Sequence, residues 1–139
     1  MEQRISIITL AVKDLKAATE FYTKKLGWTK SEMSAEGISY FQCNGMLLGL
    51  YPLEEFKKEG DFKVTETGRS KFTLAYCARS EEEVNELFKM FAKKKVPILK
   101  QPEKVFWGGY SGYIEDLDGN LWEIAYNPFL KFDVDGDLI

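Results

Sequence analysis

Arg4–Trp28 reads RISIITLAVKDLKAATEFYTKKLGW, and the change of rhythm inside it decides the fold. Arg4 to Val12 is β-branched and apolar, the pattern of a strand covered on both faces. Asp14 can cap the helix that follows, because its carboxylate can accept the unpaired first-turn N–H groups. Leu15, Ala18, Tyr22 and Leu26 then recur at helical spacing, with Phe21 widening the apolar stripe. Gly27 supplies the left-handed residue that ends the helix.

Working outward, Trp28 to Met33 reads as a second strand. Ile38–Cys43 and Met46–Tyr51 flank Asn44-Gly45, a pair suited to the turn of a hairpin. The first half is therefore expected to run β-α-β-β-β. Pro52 to Arg69 is charged and irregular, with one short helical turn at Leu53–Lys58; it reads as a connector or a ligand-covering lid.

The second half repeats the order. Lys71–Cys77 is a strand, and Ser80 with Glu83 forms a capping box. Val84, Leu87, Phe88 and Phe91 make the buried helix stripe, closed by Lys93-Lys94-Lys95. Val96–Lys100 is a short strand, and Gly108–Glu115 with Leu121–Tyr126 forms a hairpin across Asp118-Gly119. Thr9-Leu10-Ala11 returns as Thr73-Leu74-Ala75, so the halves read as a duplication. The expected architecture is α+β: one domain over 1–139, with βαβββ modules at 4–52 and 70–128, a connector at 53–69 and a tail at 129–139.

Composition narrows the function. A chain of 139 residues, 45% apolar and 29% charged, can bury a sizeable core without staples. Its net charge of −3 argues against a nucleic-acid partner, which needs clustered Lys and Arg. No run approaches the roughly 20 apolar residues of a membrane span. With no secretory leader pattern and no disulfide framework from Cys43 and Cys77, a cytoplasmic location is expected. The chain has no histidine, so any chemistry falls to carboxylates, tyrosines, lysines, thiols or the backbone.

Side chains alternate between the two faces of a strand. Ile8, Leu10 and Val12, like Phe72, Leu74 and Tyr76, are large and apolar and belong against helices. Trp122, Ile124 and Tyr126 belong there too, which leaves Leu121, Glu123 and Ala125 on the opposite, cavity side. A lone carboxylate at Glu123 is costly to bury without a partner. It can face solvent, pair with a cation such as Lys71, or serve as the polar group of a ligand pocket. Val105–Tyr113 (VFWGGYSGY) interleaves aromatics with Gly108, Gly109 and Gly112, either filling the core or lining a pocket. Asp133-Val134-Asp135-Gly136-Asp137 lacks the length and terminal Glu of a calcium loop and reads as a polar turn.

Ile8–Trp28 and Gly112–Pro128 (GYIEDLDGNLWEIAYNP) resemble the opening and closing motifs of the vicinal oxygen chelate, or glyoxalase/bleomycin-resistance, superfamily. The resemblance covers the chain to about Pro128 and implies two modules folded into a shared cup. Metal-dependent members hold a divalent ion through one ligand from each of four strands. The resemblance places those ligands at Ile7, near Gly49, at Lys71 and at Glu123, and only Glu123 is of a ligand type. No metal and no other cofactor is therefore expected. The expected function is that of a binding protein of the bleomycin-resistance kind, holding a small, partly aromatic ligand without a metal, with Trp107, Tyr110 and Glu123, and further Lys71 or Tyr51, as candidate wall residues. The alternatives are a metal-independent lyase or isomerase, with Glu123 as general base and Tyr110 as acid, and a non-catalytic interaction module. A homodimer is expected from the same resemblance.

Overall fold

The computed structural model describes residue 3, residues 5–58 and residues 72–137. They fall into two compact units, one within Met1–Glu66 and one within Thr67–Ile139. Among the described residues no helix is long and apolar enough to cross a membrane.

In the first unit β1 (Ile7–Val12) runs parallel to β3 (Met46–Pro52), and β2 (Ser39–Cys43) pairs antiparallel on the other side of β3. Asp14 caps α1 (Leu15–Glu20) as expected, its Oδ1 accepting from the Ala17 amide at 2.9 Å. A π-helical turn, Phe21–Lys25, continues α1, with the Leu26 amide donating back five residues to Phe21. Phe21 and Tyr22 are buried there, and the rings of Tyr22, Trp28 and Phe41 pack at centroid distances of 5.4 to 5.7 Å. Leu10, Val12, Leu48 and Leu50 complete this core. The inward parity read for β1 holds.

The strand expected at Trp28–Met33 does not form; a single bridge joins Lys30 to Phe41. Ser31 and Ser34 explain the loss. The Ser34 hydroxyl accepts from the Tyr40 amide at 2.9 Å, and the Ser31 hydroxyl accepts from the Met33 amide at 3.2 Å. Short polar side chains thus take over backbone groups that a ladder would have used. The short helix expected at the start of the connector is α2 (Leu53–Lys58), while residues 59–69 and Lys71 lie outside the described residues.

In the second unit the sheet order is β4-β7-β6-β5, with β4 (Leu74–Ala78), β5 (Ile98–Lys104), β6 (Tyr110–Glu115) and β7 (Leu121–Tyr126). β4 runs parallel to β7, and the other pairs are antiparallel. α3 (Glu81–Lys93) covers one face with Val84, Phe88 and Phe91. Its capping box is only half made. The Ser80 hydroxyl accepts from the Glu83 amide, but the Glu83 carboxylate turns to the Arg79 amide at 2.7 Å and the Tyr76 hydroxyl at 2.6 Å. Burial, then that bond to Glu83, pushes the Tyr76 phenol up to about 12, so it stays a donor. In the tail, Asp133 Oδ1 accepts from the Asp135 and Asp137 amides, a polar turn as read. The Arg79 guanidinium ties that turn down through the carbonyls of Asp133 and Val134.

The duplication is present, but its register differs from the Thr-Leu-Ala match. Asp14 caps five residues after Thr9, whereas Ser80 caps seven after Thr73. In the parallel pairs Thr9 faces Gly49 and Ala75 faces Glu123. The structural counterpart of Thr9 is therefore Ala75, and that of Ile7 is Thr73 rather than Lys71. The slip is two residues, so strand parity survives it.

Gly112 marks the closest approach between α3 and its sheet. A Cβ there would lie 2.5 Å from a Phe88 ring carbon, 2.8 Å from the Lys100 carbonyl oxygen and 2.9 Å from the Pro102 nitrogen. Two of those neighbours are backbone atoms of the irregular strand β5 and cannot swing aside. Gly112→Ala should cost about 1–3 kcal/mol, read as a lowered urea midpoint with an unchanged slope.

Candidate functional site

The second unit's sheet has a face that α3 does not cover. Gly112 points at Phe88 of α3 and pairs with Ile124, so residues one step away on either strand point to the opposite side. Glu123 on β7 lies there, directly across from Tyr113 on β6 and beside Ala75 on β4. Ser111, Ala125 and Cys77 share that face, and Lys100 on β5 pairs with Tyr113. Ser111 and Ala125 are buried, Glu123, Tyr113 and Cys77 are partly exposed, and Ala75 and Lys100 are exposed. The arrangement is a shallow polar floor with Glu123 on it; Glu115 on β6 and Glu103 on β5, which pairs with Ser111, lie on the same side.

Glu123 does not sit alone. The Ser111 hydroxyl, only 1% exposed, donates to Glu123 Oε1 at 2.8 Å. Tyr113 stands directly across the ladder from Glu123. Burial raises the Tyr113 phenol above its ordinary value, and the neighbouring Glu123 raises it further, against a smaller opposing effect of Lys100. Tyr113 is therefore a protonated donor near neutral pH. Burial likewise raises the Cys77 thiol, with Glu123's charge adding to it. Lys100 is held by Glu103 at 2.8 Å, and that bond, first among its causes, strengthens its hold on its proton. The hydrogen-bond partner of Glu123 is a hydroxyl; Lys71, the cation named for an ion pair with it, lies outside the described residues.

The other expected wall residues are dispersed. Tyr110 points to the α3 side, donating to Asn85 Oδ1 at 2.9 Å, so it is not paired with Glu123 as acid to its base. It also lies three residues, about 10 Å, along β6 from Tyr113. Trp107 sits beyond it in the β5–β6 turn, its ring folded so closely over Gly109 that a Cβ there would fall inside the ring system. The neighbouring Phe106 is fully exposed, and of the aromatics in the Val105–Tyr113 run Tyr113 alone shares the face of Glu123. Tyr51 belongs to the first unit, on the Thr9–Gly49 side of β3. Lys71 lies outside the described residues.

Ser111 and Tyr113 lie in the Val105–Tyr113 run read as possible pocket lining, but their placement beside Glu123 was hidden by one turn. A two-residue Asp118-Gly119 turn would set Glu123 across from Ile114. The hairpin instead closes from the Asp116 amide to the Asn120 carbonyl at 3.1 Å, making a three-residue loop with Gly119 at φ 80. Asp116 drives this: its Oδ1 accepts from the Asp118 and Asn120 amides and its Oδ2 from the Asn120 carboxamide. Aspartate two residues before Asp-Gly was the available signal for the longer loop.

The positions assigned to metal ligands do not fit a divalent ion. Ile7 offers hydrocarbon, and Gly49 has no side chain; a Cβ there would meet the Tyr40 ring at 3.0 Å and Thr9 Oγ1 at 3.3 Å. The corrected register puts Thr73 where Ile7 would be matched. Among the described residues there is no group of three or more His, Cys, Asp or Glu side chains that could hold a metal.

A family model described as Glyoxalase/Bleomycin resistance protein/Dioxygenase superfamily matches residues 4–124. No match was found among curated proteins. Among solved structures, a glyoxalase-related enzyme from Fulvimarina pelagi is 30% identical, with a TM-score of 0.89 over 99% of this chain and 98% of that one. A glyoxalase/bleomycin resistance protein/dioxygenase from Nocardioides is 23% identical, with a TM-score of 0.79 over 91% of this chain and 84% of that one. Lactoylglutathione lyase from Agrobacterium tumefaciens is 22% identical, with a TM-score of 0.73 over 96% of this chain and the whole of that one. At such identities the last two show the fold alone.

Cys77 reports on the charge of Glu123. Glu123→Gln removes the secondary cause of its raised thiol, so thiolate should form at lower pH than in the parent. Iodoacetamide labelling at mildly alkaline pH, followed by peptide mass mapping, should show Cys77 reacting faster in the variant and Cys43 unchanged; equal Cys77 rates would contradict the placement.

Proposed function

Because the chain belongs to the glyoxalase/bleomycin resistance protein/dioxygenase superfamily, we propose that it binds a small, partly aromatic molecule without a metal ion. Its polar anchor is Glu123 on the open sheet face of the second unit. One observation carries this reading: the carboxylate is kept at a partly exposed position by a buried hydroxyl donor, Ser111. A partly exposed acid has no structural need of such an arrangement, and a group that must meet a ligand in one orientation does. The half-buried ring of Tyr113 supplies apolar contact beside it. Glu123 favours a ligand that carries a positive charge or a hydrogen-bond donor.

The second reading is a lyase or isomerase that works without a metal. The observation in its favour is Tyr113 directly across the ladder from Glu123, a proton donor and a proton acceptor side by side. In that reading Glu123 takes a proton from the substrate and Tyr113, in place of Tyr110, returns one. The fold alone does not choose between binding and turnover. A homodimer accompanies either reading, and light scattering on the eluting peak should give twice the chain mass of 16.0 kDa; a monomer mass at working concentration would remove it.

The test of the binding reading is a native-mass-spectrometry screen of small aromatic amines and alcohols. A retained ligand should survive exhaustive chelation, because no bound ion mediates its contact. Glu123→Gln should weaken it roughly 10- to 100-fold, the value of one hydrogen bond to a charged acceptor. Affinity lost on chelation and restored by a divalent ion would reject the proposal.

A further inference from the structure

The C-terminal tail closes a recess against the end of the second unit's sheet. Ala78 and Tyr126 pair on the last rung of β4 and β7, and the chain turns back after Asn127. Those three residues, with Arg79, Leu130 and Phe132, enclose about 210 Å³. Ala78 and Tyr126 lie three residues along their strands from Ala75 and Glu123, so they fall on the other face of the sheet. The recess is separate from the Glu123 floor.

The polar side chains of this lining are poised to donate. The Arg79 guanidinium carries five N–H groups and no acceptor. Its Nη1 donates to the Asp133 carbonyl at 3.2 Å and its Nη2 to the Val134 carbonyl at 3.3 Å. Those two bonds hold the guanidinium in place without neutralising its charge, and they leave three N–H groups over. Among the described residues Arg79 makes no ion pair. Two acids beside it are engaged elsewhere: Glu83 accepts from the Arg79 amide and the Tyr76 hydroxyl, and Asp133 from amides of its own turn. Asn127 uses its Oδ1 to accept from the Phe129 amide at 2.9 Å, so its Nδ2 remains to donate.

We propose that this recess is a second binding site, taking a small carboxylate with a flat apolar body. Arg79 and Asn127 donate to the carboxylate, and Tyr126, Leu130 and Phe132 supply apolar contact to the body. Anchoring the tail uses two of the five guanidinium N–H groups; a planar carboxylate matches what is left. The volume sets the size, falling below the roughly 300 Å³ at which pockets for drug-sized ligands begin. A single-ring acid fits that class.

Benzoate, an anion near neutral pH, and benzamide, neutral and of similar shape, test the site. Each is titrated into the full chain while amide resonances are followed by NMR. Benzoate should shift Ala78, Asn127 and Leu130 and leave Glu123 and Tyr113 in place. Benzamide should bind roughly 10-fold more weakly or worse, the value of a hydrogen bond to a charged group. Arg79→Lys keeps the charge but loses the fork, and should weaken benzoate roughly 3- to 10-fold. Asn127→Asp keeps an oxygen for the Phe129 amide and replaces the donor with a charged acceptor, so it should abolish benzoate binding. That variant carries the test if changes at Arg79 loosen the tail. The proposal is overturned by shifts centred on Glu123, by no shift at the recess up to the solubility limit, or by equal affinity for the two probes. Benzoate binding unchanged in both variants overturns it as well. The role of Glu123, tested with amines and alcohols, stands or falls separately.

Discussion

The site depends on the buried side chain of Asp116. Its three accepted hydrogen bonds hold the β6–β7 loop at three residues, and the loop length sets the register of the hairpin. Because side chains alternate with a period of two, a change of one residue in that register exchanges every facing pair. With the loop as it is, Ser111 donates to Glu123 and Tyr113 stands across from it; one residue shorter, Ile114 would stand there. An acidic residue far from any ligand contact thus determines the polarity of the surface a ligand would meet.

The two units apply one plan to different ends. Each runs strand, capped helix and hairpin, and each places a tyrosine of its middle hairpin strand opposite the same structural position on the next: Tyr40 across from Gly49, Tyr113 across from Glu123. In the first unit the glycine admits the tyrosine ring over the backbone. In the second the tyrosine stands across from the acid. Duplication supplied two equivalent positions, and only one of them carries a polar group.

Much of this was legible in the residues. The caps at Asp14 and Ser80, the helix stripes, both hairpins and the strand parity that sends Trp122 and Ile124 inward all follow from spacing. So did the position of Glu123, because parity along one strand needs no knowledge of its neighbours. What failed were the inferences that needed the register between two strands. Tyr110 was paired with Glu123 without the hairpin register, and the Thr-Leu-Ala match was taken as register when capping shows it to be two residues out. The strand expected at Trp28–Met33 was lost to Ser31 and Ser34, whose hydroxyls bond to backbone in a way that apolar patterning does not reveal.

The close fit of Tyr40 and Thr9 around Gly49 bears on how such a chain can change over generations. A side chain acquired at that position starts 3.0 Å from a Tyr40 ring carbon and 3.3 Å from Thr9 Oγ1, so the ring must give way by a few tenths of an ångström to admit it. A second acid therefore comes at some expense to the first unit's packing, which the position held by Glu123 in the other unit does not face.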